Sequence, residues 1–239
     1  MDFDNFLGTK DDRFSKLESS RIWPILMRKV YTWMTLALTI TGVVAYGIST
    51  SERLMLLLYG NTYTFWGLLI AELGIIFYLS LGIEKLSLTS ATMWFILFAL
   101  VNGLTLGWVF IIYTEASIAQ TFFITAGTFA TMAIIGSTTK KDLTKMGGIL
   151  FMALIGLIIA GLVNMFFKSS KLDLIISGIG VFIFTGLTAW DAQKIKRMAM
   201  EATNLDENVQ KIALLGSLTL YLDFINLFLK MLRFLGKRK

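Results

Sequence analysis

The 239-residue chain contains no cysteine and no histidine. Without thiols it can form neither a disulfide nor a thiolate metal site. Without imidazoles it has no histidine-bearing zinc site and no Cys/His nucleophile. Any titration near neutrality therefore falls to carboxyl groups displaced from their usual range by burial or by a like-charged neighbour. There is one proline, Pro24, and it precedes the first long apolar run. Kinks in later helices must therefore come from glycine or from local polar groups. No G-x-x-x-x-G-K-[ST] phosphate loop is present. No cleavable signal peptide is evident either, because the first apolar run is long, starts late and lacks a convincing cleavage site.

Apolar residues are abundant. They make up 56% of the chain, with a mean hydropathy of +0.71, above the ~45–50% typical of soluble domains. The fold class this implies is an all-α integral membrane bundle. Seven spans are expected at approximately Val30–Ile48, Thr64–Ile83, Ala91–Tyr113, Ile118–Ser137, Gly147–Phe167, Leu174–Trp190 and Ile212–Phe234, each near the ~20 helical residues that cross a bilayer. Residues 1–24 form a mixed-charge cytoplasmic tail, 25–236 the membrane domain and 237–239 a basic end, with an interfacial helix around Ile22–Met27. The charged segment Asp191–Lys211 extends the sixth helix into the cytoplasm. Gly103 and Gly107 form a G-x-x-x-G on the third span, and Gly156 with Ala160 a looser version on the fifth; both suit close helix packing. No internal repeat is seen, which argues against an inverted-repeat transporter.

The net charge of +6 is not a nucleic-acid signal, because the basic residues flank spans, where they set orientation and meet anionic headgroups. With the N-terminus inside, the tail and the even-numbered connections carry 14 Lys and Arg against 3 in the odd-numbered ones, which makes the N-terminus cytoplasmic. The C-terminus disagrees. Seven full crossings put Lys230, Arg233, Lys237, Arg238 and Lys239 outside, so either these five are tolerated there or the last helix does not fully cross.

That last stretch, Ile212–Phe234, organises the reading. Gly216, Thr219, Asp223, Asn226, Lys230, Arg233 and Lys237 follow one another at alternating steps of three and four, the spacing of one helix face. A helix with such a polar seam cannot face lipid on all sides and belongs inside the bundle. Three acids lie in or at the ends of spans: Glu72, Asp191 and Asp223. A charge at mid-membrane costs roughly 2.5–3.5 kcal/mol to insert, so Glu72 and Asp223 do not face lipid. Each acid can be a buried structural carboxyl or a functional one, and Asp191 can also reach the headgroup region. Asn102 and Asn164 are read as interhelical hydrogen-bonding glue. An intramembrane aspartyl protease is disfavoured, because the acids stand in T-A-W-D191 and L-Y-L-D223 with no Gly-x-Gly-Asp. A retinal pigment is disfavoured because Lys230 lies about 10 Å along the helix from Asp223, near its end.

Three strings resemble the Bax inhibitor-1 family, in its bacterial YccA-like branch: L-Y-L-D-F-I-N-L-F (220–228), T-A-W-D-A-Q-K-I (188–195) and K-K-D-L (140–143). A-E-L-G (71–74) resembles that family's acidic second helix. The resemblance covers roughly residues 25–236. It implies a seven-helix fold with the last helix central and ringed by six others. It also implies a pH-sensitive calcium leak of the inner membrane, in which two aspartates share a proton. These carry over to Asp191 and Asp223 as the pH-sensing pair. Glu72 and Asn226 are placed on the ion pathway, with Glu72 and Asp223 as transient calcium ligands. No cofactor is expected, calcium being the permeant ion. The family's basic latch on the sixth-helix aspartate has only L-G-I-E-K-L here (81–86), so Lys85 or Arg197 is the candidate latch. The rival function is a non-conducting regulator that binds other membrane proteins, such as a membrane-bound protease; the expected partners are the lipid bilayer, calcium and such a protein. The chain is not expected to be an enzyme.

Overall fold

The computed structural model describes residues 3–201 and 206–239, with side chains from Ile22 to Met200 and from Asp206 onward. Nine helices appear among them: α1 (Phe3–Ser49), α2 (Glu52–Tyr59), α3 (Thr62–Gly82), α4 (Leu88–Leu106), α5 (Val109–Ile112), α6 (Glu115–Thr138), α7 (Thr144–Phe167), α8 (Ser170–Glu201) and α9 (Glu207–Leu235). Seven stretches are long and apolar enough to cross a membrane, and α4 with α5 makes up the third of them. The expected all-α membrane class holds.

Helix boundaries follow local chemistry. Ser51, Asn61, Ser87, Thr114 and Asp206 stand just before α2, α3, α4, α6 and α9, and each side chain accepts a first-turn backbone N–H that the helix itself leaves unpaired. The third span breaks at Gly107, where α4 gives way to α5; with proline absent, glycine supplies the interruption. At the end of α7, Lys168 takes a left-handed conformation (φ 48°), a position usually held by glycine. Asn164 serves this turn, its Oδ1 accepting from Ser169 N at 3.0 Å. It therefore caps a helix end and is not the interhelical glue expected of it.

Two helical features differ from the sequence reading. The first helix is continuous through Pro24 and begins at Phe3, so the expected tail and first span are one rod on the backbone. Residues 1–2, and the side chains as far as Arg21, lie outside the described set. The short α2 occupies what was read as a plain connection; none of its residues is buried.

Helix α9 is the most buried span and α7 the least, with 67% and 6% of their most apolar stretches covered. The main neighbours of α9 are α1, α4, α6 and α8, whereas α3 packs on α4 and α7 on α8. The expected ring of six helices is thus replaced by four flanking helices with two more outside them. Helix α9 bears on the course of the C-terminal stretch. It runs without interruption and ends beside the α5–α6 connection, where Thr114 N donates to Lys237 O and Lys239 N to Ile112 O. Arg233 pairs with Asp173 near the start of α8. Both contacts are at the opposite end of the bundle from Glu207, so the last helix runs the full length of the bundle.

Glycines allow the closest approaches. A Cβ on Gly103 would meet Val44 Cβ at 2.7 Å and Thr41 O at 2.9 Å, and one on Gly107 would meet the Tyr59 hydroxyl at 2.6 Å. The G-x-x-x-G of α4 therefore seats α1 and α2. Gly156 on α7 meets nothing within 4 Å, so the looser motif there is not an interface. Gly136 on α6 is the tightest case, with backbone atoms of Ala189 from 2.0 Å; no side-chain movement relieves a clash with main chain.

Gly136→Ala should lower stability by about 1–3 kcal/mol, the usual cost of overpacking, whereas Gly156→Ala should be neutral or slightly stabilising. Thermal unfolding in detergent, followed by tryptophan fluorescence, checks both; equal midpoints for the two variants would remove Gly136 from this role.

Candidate functional site: a buried carboxyl pair between α8 and α9

The T-A-W-D-A-Q-K-I string falls in the part of α8 that is gripped from two sides. Gly136 of α6 lies under Ala189, and Gly147 of α7 lies against the Trp190 ring, where a Cβ would come within 2.2 Å. Thr188, Ala189, Asp191 and Ala192 are all buried as a result. Asp191 is thus buried inside the bundle, with its carboxyl turned inward.

On α9, Tyr221 and Asp223 are two residues apart and so point about 200° apart around the axis. Both are buried, and they serve different neighbours. Asp223 faces α8, where its carboxyl is in hydrogen-bonding contact with that of Asp191. Tyr221 faces α1 and α4. Its hydroxyl donates to Asn102 Oδ1 at 2.9 Å and stands 2.7 Å from the Thr41 hydroxyl, which in turn lies 2.9 Å from Ala99 O. The Tyr221 ring meets Phe95 and Phe98 edge-on. A buried tyrosine needs a partner for its hydroxyl, and this network supplies two.

Glu72 of α3 is half-buried and turned toward Thr105 and Asn102 of α4. It therefore joins the Tyr221 side of α9. Among the described residues, two buried side-chain oxygens have no hydrogen-bond partner: Glu72 Oε1 and Asp223 Oδ2. Buried acceptors left in this way are uncommon in native structures, and both belong to acids singled out from the sequence.

The carboxyl contact has a direct chemical meaning. Ionised carboxylates can only accept hydrogen bonds, so two in contact need one proton between them. Such a pair titrates as a unit.

Several expected groupings are not formed. Glu72 and Asp223, each read as a transient calcium ligand, stand apart: α9 presents Asp223 to α8, while Glu72 stands with Asn102, Thr105 and Tyr221. Among the described residues no three acids gather as a metal site. Asn226 sits one turn beyond Asp223, half-buried, and donates to Leu222 O of its own helix at 2.8 Å. Of the two candidate latches, Lys85 is exposed in the α3–α4 turn. Arg197 is held elsewhere: it bonds Asp142 Oδ1 at 2.5 Å, Gln193 Oε1 at 2.9 Å and the Thr144 hydroxyl at 3.1 Å. The cation acting on Asp191 is Lys194, one turn along, whose ammonium lies 5.5 Å over the Trp190 ring.

What the sequence did not disclose is why K-K-D-L accompanies T-A-W-D-A-Q-K-I. The two strings dock on each other. Gln193 Nε2 donates to Lys141 O at 2.8 Å, and Leu143 N donates back to Gln193 Oε1 at 2.9 Å. Asp142 also receives Thr144 N at 2.9 Å and the Thr144 hydroxyl at 2.6 Å at the start of α7. The α6–α7 connection is thereby clamped to α8 within a few residues of Asp191.

The family model described as "Inhibitor of apoptosis-promoting Bax1" matches residues 24–239. Inner membrane protein YbhL of Escherichia coli K12 is 49% identical over 214 residues, which is 89% of this chain and 92% of that protein. An uncharacterized protein of Borreliella burgdorferi is 46% identical, covering 89% of this chain and 92% of its own. One of Rickettsia prowazekii is also 46% identical and covers 89% of each chain.

The Thr144 hydroxyl and the Arg197 guanidinium hold the Asp142 carboxyl well below the usual carboxylate range. A carboxyl lowered on folding stabilises above its unfolded value near ~3.9, and that contribution fades as pH falls through the folded value. The clamp therefore stays intact throughout the neutral range. Asp142→Asn should lower the thermal midpoint at pH 7, and the gap from the parent should narrow as pH falls below about 4. A gap that widens on acidification would contradict the clamp.

Proposed function

The chain belongs to the Bax inhibitor-1 family, and from that premise we propose that it is a multi-pass inner-membrane protein forming a pH-sensitive, calcium-permeable leak. The observation that carries this reading is the contact between Asp191 and Asp223, two buried carboxyls in a chain without histidine. With one proton in the pair, α8 and α9 are held together at this level. Without it, two negative charges face each other away from water. At ~4 Å and an effective dielectric near 20, such charges repel by about 4 kcal/mol, enough to reorganise the contact between two packed helices. Lys194 offsets part of that repulsion from the solvent side. Glu72, with an unpartnered oxygen beside Asn102 and Thr105, offers the oxygen ligands that a hard cation prefers. It does so on the opposite side of α9, so a cation would meet the two sites in turn.

Purified protein in liposomes with a calcium dye tests the reading. The parent should leak calcium in a pH-dependent way, and Asp223→Asn should flatten the pH profile. An unchanged profile in that variant would remove the pair from gating. No flux at any pH would favour the non-conducting regulator.

Glu72→Gln should lower the leak severalfold while leaving the thermal midpoint within a few degrees of the parent. Parental flux in a well-folded Glu72→Gln protein would leave Glu72 a purely structural role.

A further inference from the structure

A cavity of about 820 Å³ opens between α1 and α6 and reaches Phe224 of α9 at its floor. It exists because α1 packs on α4, α8 and α9 while α6 packs on α8 and α9, which leaves the two facing each other across a gap. Its volume is in the range, about 300–1,000 Å³, of sites that enclose a small ligand.

Its walls are apolar for reasons visible in the sequence. From α6 come the small side chains Ala126 and Ala130. From α1 come Leu38 and Gly42, together with Thr35 and Thr39. Both hydroxyls are turned back to their own helix, Thr35 Oγ1 to Tyr31 O at 2.7 Å and Thr39 Oγ1 to Thr35 O at 2.8 Å; what they can present to the cavity is their methyl groups. Such walls suit a hydrocarbon chain and not an ion.

One end of the cavity is different. There it is lined by Trp23 and Ser137, and Lys196 of α8 joins them. Its ammonium donates to Ser137 O at 2.6 Å and lies 5.1 Å over the Trp23 ring. An ammonium has three donors, and one is used by Ser137. Tryptophan and lysine at a span's end mark the headgroup level.

We propose that this crevice binds one anionic glycerophospholipid, an acyl chain lying between α1 and α6 and its phosphate at Lys196. The site is separate from the carboxyl pair and does not depend on conduction.

The test is native mass spectrometry of the detergent-purified full chain, titrated with phosphatidylglycerol and with phosphatidylcholine of the same acyl chains. The parent should retain phosphatidylglycerol about fivefold better, as one lysine at the headgroup level provides. Lys196→Ala should erase the preference. Gly42→Leu should reduce retention of both lipids: a Cβ at Gly42 meets nothing within 4 Å, so the leucine has open room in the crevice. Ala130→Leu, at an exposed position on the facing wall, should do the same and guards against a folding defect in the first variant. Equal retention of the two lipids by the parent would mean adventitious lipid only, and would overturn the proposal. So would undiminished retention in both filled variants. A change in oligomer mass on filling, with lipid retention intact, would assign the crevice to a second copy of the chain and likewise overturn it.

Discussion

Two carboxyl groups in contact, both out of water, are the constraint on which the rest of the bundle depends. Asp191 and Asp223 are each buried by neighbours chosen for size. Helix α8 approaches α6 and α7 so closely only because Gly136 and Gly147 lack side chains where Ala189 and Trp190 arrive. Helix α9 reaches α8 in turn through Gly216, whose Cα lies against Ile195. Larger residues at these points would separate the helices and let water in. The carboxyls would then behave as ordinary exposed acids, and the contact that demands a shared proton would be lost.

The clamp between Gln193, Arg197 and the 141–144 connection has the complementary task. It lies less than two turns beyond Asp191 on α8 and joins an exposed Arg197–Asp142 ion pair to neutral, part-buried bonds from Gln193. Exposed ion pairs add little stability, and Asp142 stays ionised across the neutral range. The clamp is thus insensitive to the pH changes that affect the buried pair. One end of α8 is fixed while the interior contact can change with protonation, so α8 has a fixed reference against which movement at Asp191 is defined.

Much of this was legible from spacing and cost. Seven apolar runs gave seven crossing helices, and the burial of α9 agrees with its polar seam. Glu72 and Asp223 stood out because a charge in lipid is expensive, and theirs are the two unpartnered buried oxygens. The misreadings share one cause, which is that linear spacing does not reveal partners. The seam predicted a face but not that Tyr221, on another face, would take Asn102 and thereby the neighbourhood of Glu72. Arg197 looked available to Asp191 because both are on α8; its long side chain instead reaches α7. Gly156 and Ala160 had the right spacing for packing, yet α7 lies at the edge and offers them no helix. Helix α2 was missed because eight residues with no buried face carry no crossing signal.

The seam itself needs a finer reading than polarity. Apart from Asp223, its members mostly have contacts of their own. Thr219 and Asn226 bond their own helix, Lys230 lays its stem over Gly180, Arg233 pairs with Asp173, and Lys237 N donates to the Ser117 hydroxyl. The order of charge along the helix therefore matters more than the presence of polar atoms. A cation moving from Asp223 toward the C-terminal end of α9 would meet Lys230 and then Arg233, the latter paired with Asp173. In a medium of reduced dielectric each positive charge raises the energy of that passage, so the favourable ground for a cation is at the level of the acids. The C-terminal half of α9 is thus its positive end, with the Asp191–Asp223 pair lying before it along the helix. Asp223 is the acid that α9 presents to α8, so the proton it shares with Asp191 sets how much negative charge stands against Lys230 and Arg233.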